Sequence, residues 1–265
     1  MKHIDVKEII IKKDYIGQEV TVCGWVRTSR NSKSVAFVEL NDGTSLKNIQ
    51  IVVEKGESDY KEPRVGMSVK VVGKVVEGRN NSVEINAIPD NITVLGDCPT
   101  DYPLQKKGHS LEFLRSIPHL RSRTNTFNAV WRVRSVLAAA LHRYFQNNNY
   151  VYINTPLITG SDCEGAGEMF QVTTNGYTTE YKTEEEYYTN DFFGRKAGLS
   201  VSGQLEGEMA ATAMGKIYTF GPSFRAENSN TPKHLAEFWH VEPEIAFAEL
   251  DDVIETAEDM LKYVI

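Results

Sequence analysis

The chain has 265 residues, 41% hydrophobic and 25% charged, with a formal net charge of -7. This composition excludes a disordered polymer and a collagen-like repeat, and it fits one large globular domain or two smaller ones. No run of eighteen apolar residues occurs and the polar start Met1-Lys2-His3-Ile4-Asp5 is unlike a signal peptide, so no membrane partner and a cytoplasmic location are expected.

The acidity is uneven. Residues 1–100 hold 14 basic and 14 acidic side chains, the remainder 15 and 22. A neutral first part can carry a local basic face, so charge alone does not exclude nucleic acid. Cys23, Cys98 and Cys163 are odd in number and far apart, with no His at ligand spacing; they read as free thiols, and no metal site is expected.

Five runs rich in Val and Ile, at 20–26, 35–40, 49–53, 69–76 and 83–88, are separated by turn-formers such as Asn41-Asp42-Gly43. Five strands in about seventy residues predict a small closed barrel of the oligonucleotide-binding (OB) type. Residues 97–123, with Pro99, Pro103, Gly108 and Pro118, read as a linker. The predicted division is therefore 1–100 barrel, 101–125 hinge and 126–265 a second domain.

Val130, Val133, Val136, Leu137, Ala140, Leu141, Tyr144 and Phe145 then place one apolar stripe on a helix of about five turns. Asn147-Asn148-Asn149 is expected to end it, because Asn tolerates the left-handed conformation. A strand at 151–153, a polar stretch at 173–196, a helix near 204–214, strands near 217–224 and 238–247 and a helix from Asp251 follow. Partial alternation of strands and helices predicts an α+β domain with a largely antiparallel sheet.

One segment carries specific chemistry. Phe224-Arg225-Ala226-Glu227, a variable loop, then His234, Phe238 and Glu242 matches at every fixed position the pattern Phe-Arg-x-Glu, loop, Arg/His-x3-Phe-x3-Asp/Glu. On residue types alone Arg225 and Glu227 would read as a surface ion pair and Phe238 as core. Six constrained positions resemble motif 2 of the class II aminoacyl-tRNA synthetases. Asn149-Tyr150-Val151-Tyr152-Ile153-Asn154-Thr155-Pro156 resembles their motif 1, with Asn149 where the family has Gly, and implies a homodimer. Residues 161–170 and the run Ser202-Gly203-Gln204-Leu205-Glu206-Gly207 resemble the mobile loop and amino-acid pocket of the aspartate, asparagine and lysine group.

That resemblance implies ATP-dependent ligation of an amino acid to tRNA through an adenylate. It puts Arg225 on the α-phosphate as the catalytic residue, with Glu227, His234 and Phe238 completing the ATP site. Glu164, Gln204 and Glu242 would bind the amino acid. Aspartate-specific members carry Lys at the position of Gly207 and Asp at that of Glu242; losing a cation and lengthening a carboxylate favours a side-chain amide over a second carboxylate. The resemblance is therefore to the bacterial-type asparagine-specific members, with an aspartate-specific or non-discriminating ligase, or a nucleic-acid-binding fragment without catalysis, as the alternatives. Residues 22–51 resemble the group's anticodon-binding barrel, which implies tRNA contacts by Arg27, Phe37, Gln50 and Glu84. The family's Gly-rich motif 3 is not found after Glu242, so this chain is expected to be an inactive N-terminal portion, with the ligands of Mg²⁺ beyond residue 265.

Overall fold

The computed structural model describes residues 2–56, 60–163, 165, 168–176, 180–229 and 231–265. They form two compact units, Met1–Arg134 and Ser135–Ile265.

In the first unit a short helix α1 (Val6–Ile11) precedes six strands, β1 (Glu19–Asn31), β2 (Val35–Asn41), β3 (Ile49–Glu54), β4 (Ser68–Glu77), β5 (Val83–Ala87) and β6 (Ile92–Gly96). Strand order is β1-β2-β3-β5-β4-β6, and β1 also pairs with β4, so the first five strands close into the expected barrel. Alternation produces this closure: inward residues such as Val22, Val38, Ile51, Val71 and Ile85 are fully buried, or nearly so, while their neighbours point out. Each buried Val or Ile contributes roughly 1.5–3 kcal/mol by leaving water. Val6 and Ile9 of α1 belong to the same core and close one end of it. At Gly73 the strands pass so closely that a Cβ would stand 2.4 Å from the Asn86 carbonyl oxygen.

Strand β6 adds a sixth strand against the first half of β4. Its residues do not alternate in burial, so it lacked the period by which the other five were read. The linker is also more ordered than its composition suggests. It carries α2 (Leu111–Ser116) and α3 (Pro118–Arg121), and Cys98, Tyr102, Leu104 and Leu114 bury themselves with Met67 in a second small core. Helix α4 (Asn125–Asn147) follows.

The second unit contains the end of α4, β7 (Val151–Tyr152), β8 (Ile158–Thr159), α5 (Glu184–Thr189), β9 (Gly198–Leu199), α6 (Gln204–Met214), β10 (Lys216–Phe224), β11 (Glu237–Ile245) and α7 (Leu250–Val264). Helix α4 stops as the Asn triplet predicts: Asn149 has φ 64°, and the chain turns directly into β7. Strand β7 runs parallel to β10, and β10 and β11 form an antiparallel hairpin. The core beneath this sheet is aromatic: Phe145 stacks on Tyr218 with centroids 4.6 Å apart, enclosed by Tyr144 and Tyr150. Residues 173–196, read from sequence only as polar, are organised by Asp191. Its Oδ1 accepts from the backbone N–H of Thr174 at 2.8 Å, from the Thr174 hydroxyl at 2.8 Å and from the N–H of Phe192 at 2.8 Å.

Candidate active site

The β10–β11 hairpin builds the site because its register puts polar residues opposite one another on one face. Thr219 pairs with Glu242, Gly221 with His240 and Ser223 with Phe238. At its open end the Arg225 N–H donates to the Ala236 carbonyl at 3.0 Å, tying off the loop between the strands.

Arg225, Glu227, His234 and Phe238 line one cavity of about 460 Å³ with Lys233. The Arg225 guanidinium lies 5.4 Å from the centroid of the Phe238 ring, within cation–π range. Arg225 Nε also donates to the Val201 carbonyl at 3.5 Å, a long bond that orients the head group without consuming it. His234 is held at the loop by a contact between its Nδ1 and the Thr231 hydroxyl. The cavity thus combines a fixed cation, an aromatic face and a carboxylate, the groups needed for a phosphate and a planar base.

Glu242 lies a few residues along β11 and its side chain is only 12% exposed. The Ser202 hydroxyl donates to Oε2; the Gly203 N–H donates to Oε1 at 3.1 Å and the Thr219 hydroxyl to Oε1 at 3.2 Å. His240 Nδ1 is 3.4 Å from Oε1. Such a set of donors fixes the direction of the carboxylate. Glu242 lines a second cavity, of about 220 Å³, with Gly203, Thr219 and residues of the 152–157 segment.

Gln204 opens α6 beside this network. Its Nε2 donates to Glu208 Oε1 at 2.9 Å, and the Cys163 thiol donates to its Oε1 at 3.8 Å. Gly207, one turn on, packs against the hairpin: a Cβ there would stand 3.3 Å from Glu244 Cγ and 3.6 Å from Thr219 Cγ2. Burial, with the charges of Glu208 and Glu242 adding to it, pushes the Glu244 carboxyl above its ordinary pKa. Position 207 therefore packs against Glu244, Ile217 and Thr219, in surroundings rich in carboxyl groups and with no cation from α6.

Glu164 lies outside the described residues. The other residues expected to bind the amino acid, Gln204 and Glu242, are joined through Ser202, whose hydroxyl accepts from the Gln204 N–H at 3.1 Å while donating to Glu242. Ser202, Thr219, Glu208 and His240 were given no role from sequence. The available signal for Thr219 was the hairpin itself, since pairing Phe224 with Glu237 at the loop base makes Thr219 face Glu242.

On the barrel, Phe37, Gln50 and Glu84 share the outer face. Gln50 Nε2 donates to Glu84 Oε1 at 3.0 Å across the parallel β3–β5 pair, and the Arg30 guanidinium lies 6.0 Å from the Phe37 ring. Arg27 is placed differently. It sits where the β1–β2 register shifts between Val26 and Thr28, and its guanidinium turns to donate to the Arg123 carbonyl of the linker.

Comparison with known proteins agrees with this geometry. The family model for class II tRNA synthetases (D, K and N) matches residues 110–265, and that for the OB-fold nucleic acid binding domain matches 20–95. The asparagine–tRNA ligase of Parabacteroides distasonis is 54% identical over 261 residues, 96% of this chain and 56% of the relative; that of Acetivibrio thermocellus is 55% identical over the same shares. The chain thus spans about 56% of the length of these curated relatives. Among solved structures, asparaginyl-tRNA synthetase from Pyrococcus horikoshii complexed with asparaginyl-adenylate superposes with a TM-score of 0.82 at 25% identity, covering 100% of this chain and 57% of that one. The Entamoeba histolytica enzyme in complex with the same adenylate gives 0.74 at 25% identity, with shares of 94% and 54%. This chain belongs to the class II tRNA synthetases of the aspartate, lysine and asparagine group.

Proposed function

We propose that the protein containing this chain ligates asparagine to its tRNA through an asparaginyl-adenylate. The observation that carries the reading is the pairing, on one hairpin, of the Arg225–Phe238 cavity with the fixed Glu242 carboxylate, against which α6 packs the side-chain-free Gly207. Relatives at 52–55% identity bear the name asparagine–tRNA ligase, which supports the same assignment.

In this reading ATP enters the cavity with its adenine against Phe238 and its amino group toward Glu227, while Arg225 holds the α-phosphate and the carboxylate that attacks it. Bringing two anions together is the main obstacle, and a planar guanidinium can bridge both. His234 faces the outer phosphates from the hairpin loop. Mg²⁺ bound with ATP would screen the triphosphate charge; among the described residues no group of three or more His, Cys, Asp or Glu is placed to hold a metal ion. Glu242 accepts from the amide NH2 of asparagine, and the acidic surroundings of Gly207 repel a second carboxylate. Gln204 and Glu164 complete the amino-acid site.

The first unit would hold the anticodon arm, with a base stacked on Phe37 and base edges read by Gln50 and Glu84. Motif 1, comprising α4 and β7, would join two copies. No helix of the described residues is long and apolar enough to cross a membrane, and the cytoplasm is the proposed location.

Charging of purified tRNA with labelled asparagine by the full-length protein tests the proposal. Asparagine should be esterified to its tRNA in an ATP-dependent manner; charging with aspartate alone would reject the asparagine assignment.

A further inference from the structure

We propose a phosphate-binding site between strand β1 and the linker, which extends the nucleic-acid surface beyond the barrel face; it rests on the reading that this unit binds tRNA. A cavity of about 320 Å³ lies there, entirely within the first unit. Two buried polar atoms on its wall, Arg27 Nε and the Thr28 hydroxyl, have no hydrogen-bond partner among the described residues. Thr28 is 7% exposed, so its hydroxyl is desolvated and unpaired, an arrangement that disfavours folding unless a ligand supplies the partner.

The surrounding groups specify the ligand's charge. Arg27, Arg123, Lys107 and His109 line the cavity, and among the described residues neither Arg27 nor Arg123 forms an ion pair. The one carboxylate present, Glu39, already accepts from Asn48 Nδ2 at 3.3 Å. Asn125 and Thr126, the first residues of the 23-residue helix α4, also line it, so the positive end of a long helix faces inward. Burial, ahead of the nearby Arg123 charge, pushes the Arg27 guanidinium below its usual pKa, a loss that a bound anion reverses.

The position of the site favours a backbone phosphate over a free ion. Thr28 pairs with Glu39 and Arg30 with Phe37, so the cavity opens at the end of the row of outward residues that carries Phe37 and Gln50. A strand with one base stacked on Phe37 would set an adjoining phosphate against the Arg27 Nε–H and the Thr28 hydroxyl. The β1 bulge gains a purpose: it turns Arg27 off the open face and toward this phosphate.

The test is equilibrium binding of the asparagine tRNA anticodon stem-loop to the 265-residue chain at several salt concentrations. Arg27→Gln should weaken binding about tenfold and lower the salt slope by about one. Thr28→Val, which removes only an unpaired hydroxyl, should weaken it about threefold with an unchanged melting temperature, and it reports even if Arg27→Gln disturbs the linker. Replacing single phosphates of the RNA by neutral methylphosphonates should reveal one position that weakens the unaltered chain about tenfold and leaves Arg27→Gln no weaker. Unchanged binding in both variants, with a loss in Phe37→Ala, overturns the phosphate site but leaves the anticodon face standing. Inorganic phosphate that shifts the Thr28 amide resonance and is not displaced by RNA overturns the backbone assignment in favour of a free anion. If the unaltered chain binds no RNA, both the site and the anticodon reading fall.

Discussion

Thr219 and Glu242 face each other across the β10–β11 hairpin, and the Thr219 hydroxyl donates to Glu242 Oε1 at 3.2 Å. This bond, with those from Ser202 and Gly203, aims a carboxylate that sequence comparison could only name. The placing of this carboxylate is thus a property of three elements: β11 supplies the charge, and β10 and the residues leading into α6 supply the donors.

Glu242→Gln should be far more damaging than its size suggests. An amide keeps one acceptor oxygen and turns an NH2 toward donors already in place, so at least one buried donor is left unpaired, at a cost of about 1–3 kcal/mol. Asparagine activation by the full-length protein should fall by about 10²-fold or more, while Ser202→Ala and Thr219→Val fall less. Pyrophosphate exchange into ATP measures this; unchanged asparagine kinetics in Glu242→Gln would remove it from the pocket.

Phe37 is partly buried on the barrel's outer face and is not one of its core residues. Phe37→Ala should weaken tRNA binding by about 1–3 kcal/mol, the usual worth of a stacked base, without altering the thermal unfolding of the first unit. Filter binding with parallel calorimetry separates the two effects. A lowered melting temperature would mean that Phe37 packs structurally.

Gly73 marks the tightest passage in the barrel. A methyl group there would meet the Asn86 carbonyl at 2.4 Å and Ile85 Cγ2 at 2.6 Å, both on a paired strand that cannot retreat alone. Gly73→Ala is expected to destabilise the chain by about 1–3 kcal/mol or more, read as a lower urea midpoint. Gly43→Ala is not a useful control, because Gly43 has φ 84° and strain would enter there for another reason.

Asp191 predicts a pH dependence. The backbone N–H of Thr174, ahead of the Thr173 hydroxyl and the Phe192 N–H, holds its carboxyl well below the usual carboxylate range. A depressed folded pKa contributes stability that is present above the unfolded value of about 3.9 and is lost as pH falls through the folded one. The 173–191 segment should therefore gain hydrogen exchange as pH drops below about 4, and Asp191→Ala should show that faster exchange already at neutral pH. Equal exchange at Thr174 and Phe192 in both proteins would contradict the clamp.

Much of this architecture was legible because alternation and helical spacing are strong local signals. The five barrel strands, the stop of α4 at Asn149 and the hairpin strands all follow from such patterns. Strand β6 and helix α5 carry neither period clearly, and the Asp191 carboxylate that ties Thr174 to Phe192 does so through backbone N–H groups and a threonine hydroxyl, which no period marks. The site divides the same way. Arg225, Glu227, His234 and Phe238 were named through the resemblance to motif 2, and they line one cavity. Ser202 and Thr219 were not, because their role depends on which residue stands opposite. Arg27 was read as a tRNA contact, and strand period alone could not reveal the register shift beside it or the bond of its guanidinium to the Arg123 carbonyl.

The most direct measurement of the central claim is pyrophosphate exchange by the full-length protein with asparagine and with aspartate as the only amino acid. A fixed Glu242 carboxylate and the absence of a cation from α6 at Gly207 predict exchange with asparagine at least about 10⁴-fold more efficient, in kcat/KM, than with aspartate. Comparable exchange with aspartate would contradict the account, because a site built around an unbalanced negative charge cannot favour a second one.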